Sequence, residues 1–209
     1  MASNVNVMRT VRFIGFGIIC LITLWYFISP NINASSKIPV TQLATVLEQK
    51  GTPLSPFNLI DSDGNHFSEK SLRGHWSLMF FGYTTCPDVC PTTLSVVSEA
   101  WNGFNGKYPA KFIFASINPI DDDPKSLKFF LRNFHNDFIG VTGPSQEIAK
   151  LSQQLNVIAQ KHTDNETGTT IIDHTAALML IDPRGRLKAV FTPPLDANAI
   201  INDLNAITA

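Results

Sequence analysis

Cysteine is scarce in this chain, with three in 209 residues, at positions 20, 86 and 90. Three thiols cannot build the multi-bridge framework of a small disulfide-stapled domain, so an apolar core has to hold the fold together. Methionine is equally sparse, and the four present are scattered rather than gathered into a run. Surplus positive charge is missing too: 16 basic residues face 17 acidic ones. Two of the basic residues, Arg9 and Arg12, lie near the N-terminus, and the rest of the chain is more acidic still, which excludes the electrostatic footprint of a nucleic-acid binder. Neither internal repeats nor low-complexity tracts occur, which excludes a solenoid. What is present, 44% hydrophobic residues, suffices for one well-cored domain plus an appendage, not for two domains.

The appendage is at the front. Residues 13–29, FIGFGIICLITLWYFIS, carry no charge, and as a helix rising about 1.5 Å per residue they just reach across a bilayer's hydrocarbon core. Trp25 and Tyr26 suit the far interface. A buried core helix or a cleaved signal peptide would also be apolar. However, the run ends at Pro30 and leads into the polar NINASSK, and the small-residue site around Ala34 is poor. Cys20 lacks the preceding small residue that lipid processing favours and reads as a bystander in the membrane. Arg9 and Arg12 before the span, against Lys37 after it, place residues 1–12 in the cytoplasm and the globular part outside. Without a long Arg-rich, Ser-rich amphipathic leader, the expectation is a single-pass protein of a bacterial inner membrane with its C-terminal domain in the periplasm.

Residues 30–50 read as a linker with a short helical turn in TQLATVLEQK, and residues 51–209 as the domain. PFNLIDSDGNHF predicts a hairpin around Asp63 and Gly64. The continuous apolar runs WSLMFFGY and KFIFASI predict strands buried on both faces. Leu94, Val97, Ala100, Trp101 and Phe104 recur at helical spacing. PKSLKFFLRNFH predicts a second helix and PSQEIAKLSQQLNV a third, capped by Ser145. AALMLID and LKAVFT form a hairpin through Pro183, Arg184 and Gly185, and a helix follows from about Asp196. The order β, α, β, α, α, β, β, α around a mixed sheet is that of an α/β, thioredoxin-like fold, which by itself leaves the chemistry open.

The chemistry gathers at FFGYTTCPDVCPTTL. Cys86 follows a strand and Pro91 follows Cys90, so the helix is expected to open at Pro91, with Cys90 as its N-cap and its thiol acidified by the helix N-terminus. A disulfide closing so short a loop would stabilise little, and two idle buried thiols explain the pairing poorly. C-x-x-x-C is one residue wider than the C-x-x-C of thioredoxin-like oxidoreductases. The spacing therefore admits either a redox pair, Cys86 and Cys90 exchanging disulfides, or two metal ligands. Of the five histidines, His66, His75, His135 and His162 fall at turns, helix ends or polar stretches and read as solvated. His174 stands where the polar HTDNETGTT gives way to a buried strand, at a strand end able to face the cysteines. Two thiolates and an imidazole make a soft site suited to Cu(I), and to Cu(II) when nitrogen joins; zinc could also use such a set.

FFGYTTCPDVCPTTL, INPIDDDP, FIGVTG and IIDHTAALMLIDPRGRL, in order across nearly all of residues 54–195, resemble the Sco/SenC family of membrane-anchored copper proteins. The resemblance implies copper held by Cys86, Cys90 and His174. It also implies a part in assembling the copper centre of cytochrome c oxidase, either by delivering copper or by keeping the acceptor's cysteines reduced. The implied partners are the oxidase's copper-bearing subunit or another copper chaperone. An assembly factor of this kind need not be a turnover enzyme, and a thiol-disulfide oxidoreductase activity of the cysteine pair stays open. The alternatives are a membrane-anchored thiol-disulfide reductase, which needs both cysteines but not His174, and a peroxiredoxin-like peroxidase, which leaves the cysteine spacing and the DHT segment unexplained. Two departures stand out. Asn118 and Asp121 replace an acid and a base of the family's V-D-P-x-R-D-T-P, and Thr170 stands where the family often has tyrosine.

Overall fold

The computed structural model describes residues 39–47, 53–104, 110–163 and 170–208. The predicted membrane helix at residues 13–29, with Cys20, lies outside them. Among the described residues, no helix is long and apolar enough to cross a membrane.

The two apolar runs become the middle of the sheet. β4 (Trp76–Gly82) and β5 (Ala110–Ser116) pair in parallel from Trp76 opposite Ala110 to Gly82 opposite Ser116. Alternation sends successive side chains to opposite faces. Leu78, Phe80, Phe112 and Phe114 enter one core, and Met79, Phe81, Ile113 and Ala115 the other. Each fully buried side chain of this size contributes about 1.5–3 kcal/mol, so this doubly covered centre dominates the stability of the fold. A parallel pair needs a crossover, and α1 (Val89–Phe104) supplies it, burying Leu94, Val97, Ala100 and Phe104.

The predicted hairpin follows as β2 (Leu59–Asp61) and β3 (His66–Phe67), with Asp61 accepting from the amides of Asp63 and Asn65 to turn the chain. α2 (Pro124–Arg132) is capped by Asp123, which accepts from the Ser126 amide at 2.7 Å. β6 (Ile139–Thr142) and α3 (Ser145–Gln154) come next. Ser145 does not cap α3 as expected. Pro144 holds the extended backbone ahead of the helix, Ser145 is already helical, and no side chain caps the end. β7 (Ala159–Thr163) and β8 (Thr170–His174) form a separate two-stranded sheet. β9 (Leu178–Ile181), β10 (Leu187–Phe191) and α4 (Ala197–Thr208) close the chain.

The eight-stranded sheet, which opens with the edge strand β1 (Ala44–Val46), runs β1-β10-β9-β4-β5-β6-β2-β3. Its centre is a parallel β4-α1-β5 unit joined through the antiparallel β4–β9 pair to the β9-β10-α4 unit. This is the thioredoxin-like arrangement expected from the element order. The sequence reading missed β6, β7 and β8. It also read a helical turn where β1 (Ala44–Val46) is a strand paired with β10.

That edge strand is held by one buried carboxylate. Asp203 of α4 accepts three successive amides, those of Gln42, Leu43 and Ala44, at 2.6–2.7 Å. Charged acceptors make the stronger hydrogen bonds, about 1.5–3 kcal/mol each, though bonds sharing one carboxylate do not add fully. Asp203→Asn keeps the size and loses the charge. It should lower the unfolding free energy by about 2 kcal/mol, read as a lower urea midpoint, and expose the β1 segment to protease. An unchanged midpoint would show that β1 is held by its ladder to β10 alone.

Candidate metal centre

The end of β4 sets the site. Ligands in α/β sheets sit beyond the carboxyl ends of parallel strands, and here the chain leaves β4 at Gly82 and enters α1 at Val89 with both cysteines near that bend. A buried carboxylate braces the bend from below. Asp122, fully buried, accepts from the Thr84 amide at 3.1 Å, the Thr84 hydroxyl at 2.5 Å and the Ser116 hydroxyl at 2.6 Å.

The helix starts earlier than the sequence suggested. Thr92 N–H donates to Asp88 C=O at 3.1 Å, so Cys90 is the second residue of α1 and not its cap. Amides of the first turn have no helical acceptor, so proline fits there without loss, and Pro91 occupies the third position. The sulfur at the helix N-terminus is therefore that of Cys86, which accepts from the Cys90 amide at 3.5 Å. Cys90 itself is completely buried. Its thiol is not acidified as expected: burial first, then the neighbouring Cys86 and Asp122, push its pKa well above the ordinary thiol value, against a lowering by the Tyr83 backbone.

β8 brings in His174. Its Nε2 lies 3.5 Å from Cys90 Sγ, and its Nδ1 lies 3.3 Å from the Thr175 carbonyl. A carbonyl only accepts, so Nδ1 carries the proton and Nε2 presents a bare lone pair to the sulfurs. Burial lowers the pKa of the imidazole, and the Thr175 carbonyl and Asp173 offset this only in part. The ring is thus neutral at neutral pH and ready to ligate. Phe80 and Tyr83 stand edge-on to it, with centroids at 5.8 and 6.2 Å.

The ligand atoms of Cys86, Cys90 and His174 all lie within 4.8 Å of one another. Three ligands around one ion at about 2.0–2.3 Å stand roughly 3.4–4 Å apart, so closing on a metal takes a contraction of at most about 1.4 Å. Among the described residues no other group of His, Cys, Asp or Glu was found to converge in this way. His66 and His162 are exposed, and His135 stacks on Phe138 at 5.2 Å. His75, read as solvated, buries its Nε2. The departures Asn118 and Asp121 bond to each other, Asn118 Nδ2 donating to Asp121 at 2.8 Å, so one substitution answers the other. The sequence reading did not single out Tyr83 or Asp122, although the run of three aspartates at 121–123 marked the second.

A cavity of about 970 Å³, lined by Lys111, Arg132 and His135 among others, lies at the far end of β5 and includes none of the three residues. A smaller one, of about 340 Å³, flanks the cysteine bend between Val89, Val96, Ala176 and Leu195.

The sequence model of the SCO1/SenC family matches residues 46–209. A SCO2-like protein of Rickettsia prowazekii is 32% identical over 203 residues, covering 96% of each chain. The copper-bound structure of ScoI from Bradyrhizobium japonicum is 36% identical, with a TM-score of 0.67 over 75% of this chain and 99% of that one. The metal-free solution structure of Sco1 from Thermus thermophilus, 28% identical, superposes with a TM-score of 0.70 over 81% of this chain and 98% of that one. With a family model covering more than half its length and a relative matched almost end to end, the chain belongs to the SCO1/SenC family.

Proposed function

We propose that the protein is a copper-binding assembly factor for the copper centre of cytochrome c oxidase. In this reading residues 13–29 tether it to a bacterial inner membrane, and the thioredoxin-like domain works in the periplasm. One observation carries the copper reading: two sulfurs and a bare imidazole nitrogen converge within 4.8 Å at the bend between β4 and α1. The donor set fits the ion, since soft thiolates suit Cu(I) and the imidazole extends the site to Cu(II). Copper would displace the protons of Cys86 and Cys90, which offsets the burial that keeps the Cys90 thiol neutral without metal. Cargo would pass to the copper-bearing subunit, or to another copper chaperone, by exchange of sulfur ligands. A tether holding donor and acceptor on one membrane raises their effective concentration without new contacts.

A thiol-disulfide reductase is the second reading, favoured by the asymmetry of the pair. Cys86 is partly buried and Cys90 fully buried, the more accessible thiol suiting attack and the inner one resolution. Cys86 would attack the acceptor's disulfide and Cys90 would displace the reduced acceptor, leaving a Cys86–Cys90 disulfide.

Metal content and free-thiol count of the purified full-length protein test the primary reading. One copper per chain is expected, lost together with its absorption when the cysteines are alkylated. A chain that takes up no copper while cycling between dithiol and disulfide would leave the reductase. The tether is tested separately by a reporter active only outside the cytoplasm, fused after Ala209. Activity is expected, and activity of a cytoplasmic reporter instead would overturn the compartment.

A further inference from the structure

His174 reaches the cysteines on a hairpin outside the main sheet. β7 and β8 pair with each other in a sheet of their own. The position of the imidazole must therefore be fixed by contacts other than the main ladder. Alternation along β8 puts Ile172 and His174 on one face, and Ile172 is buried while Asp173 between them is exposed.

Tyr83 meets both segments that carry ligands. It is the first residue beyond β4 and buried to 2% exposure. Its carbonyl accepts the Cys86 amide at 3.3 Å, which closes the cysteine bend. Its hydroxyl accepts the Ile172 amide at 3.3 Å, and its ring stands edge-on to His174 at 6.2 Å. Among the described residues, two hydrogen bonds join β8 to the β4–α1 bend: this one and the contact between Cys90 and His174. The second has to be broken and remade around a metal, because the ion takes both of its atoms. The Tyr83 bond uses no ligand atom, so binding a metal does not require breaking it.

We propose that Tyr83 is a positioning residue for copper, its hydroxyl tying the strand of His174 to the cysteine bend so that imidazole and sulfurs stay converged when no metal is bound. This rests on the copper reading above. It assigns a task to a residue that touches no metal. The task matters most for Cu(II), which needs the imidazole, and least for Cu(I), which two thiolates can hold.

Tyr83→Phe in the full-length protein in detergent keeps the ring and removes the tie. In metal-free protein, amide exchange of the peptide spanning residues 170–176 should accelerate about tenfold or more. Cu(II) affinity should fall about 10–100-fold, the range for lost outer-shell partners of metal ligands. Cu(I) affinity should change by less than about threefold. On a His174→Ala background the Tyr83 substitution should cost no further Cu(II) affinity, since its effect passes through the histidine. Additive losses, equal losses for the two oxidation states, or unchanged exchange would each overturn the proposal. A parent protein that takes up no copper would sink the copper reading by itself. The exchange measurement, made without metal, would then decide whether Tyr83 holds the hairpin.

Discussion

Replacing His174 with alanine should cost about a hundredfold or more in Cu(II) affinity while leaving Cu(I) binding within about tenfold of the parent. Loss of an outer-shell partner alone typically costs 10–100-fold, and a direct ligand should cost at least the upper end of that range. Cu(I) survives because the sulfurs of Cys86, in the β4–α1 bend, and Cys90, in the first turn of α1, are untouched. Cys86→Ser or Cys90→Ser should remove both activities, since one thiolate and one imidazole leave no soft pair. The disulfide between the cysteines should still form and break in the histidine variant. In cells, cytochrome c oxidase assembly under limiting copper then separates the two readings. If copper is the cargo, His174→Ala fails nearly as badly as either cysteine variant. Normal assembly with His174→Ala, alongside failure of both cysteine variants, would leave thiol reduction as the function.

How readily each part of this picture could be read from the chain depended on how far its cause lies along the sequence. β4 and β5 were legible because a parallel strand covered on both faces is apolar at every position, as LMFF and FIFA are. β7 and β8 were not, because Ala159, Gln160, Lys161 and His162 of AQKHT are all exposed, Ile172 is the buried residue of its partner strand TIIDH, and the pair carries few apolar residues. β6 is four residues long and includes Gly140, which packs against Leu127 of α2 and so reads as loop. The three site residues were found because a cysteine pair is rare and a histidine at a strand edge is conspicuous. Their supports were invisible for the opposite reason. Tyr83 acts on an amide 89 residues away and Asp122 on one 38 residues away, and nothing local announces either. The acidified Cys90 expected from the sequence does not occur. The helix N-terminus does face a sulfur, but that sulfur belongs to Cys86, and burial governs Cys90.

Burial of Cys90 also makes Gly82 a second point of control, and Gly82→Ala should both destabilise the fold and damage the site. A methyl group there would lie 2.8 Å from Cys90 Sγ and 2.9 Å from the Phe114 ring. Neither neighbour can retreat, since Phe114 is wholly buried in the centre of the sheet and Cys90 is held in the first turn of α1. Overpacking of this kind costs about 1–3 kcal/mol, and here the upper end is expected. Part of the strain should appear as displacement of a ligand sulfur, with Cu(II) affinity falling about tenfold or more. Gly103→Ala provides the control. Its methyl group would approach to 2.6 Å, closer still, but the atom it meets is the terminal Cδ1 of Ile201, which a change of rotamer moves aside. Alanine inside a helix also gains about 0.5–1 kcal/mol over glycine, so this variant should unfold within about 1 kcal/mol of the parent and bind copper unchanged. Urea midpoints and copper titrations of the two variants, taken together, decide the matter. Equal midpoints, or a Gly82→Ala protein that binds Cu(II) like the parent, would mean that Cys90 has more freedom than its burial indicates.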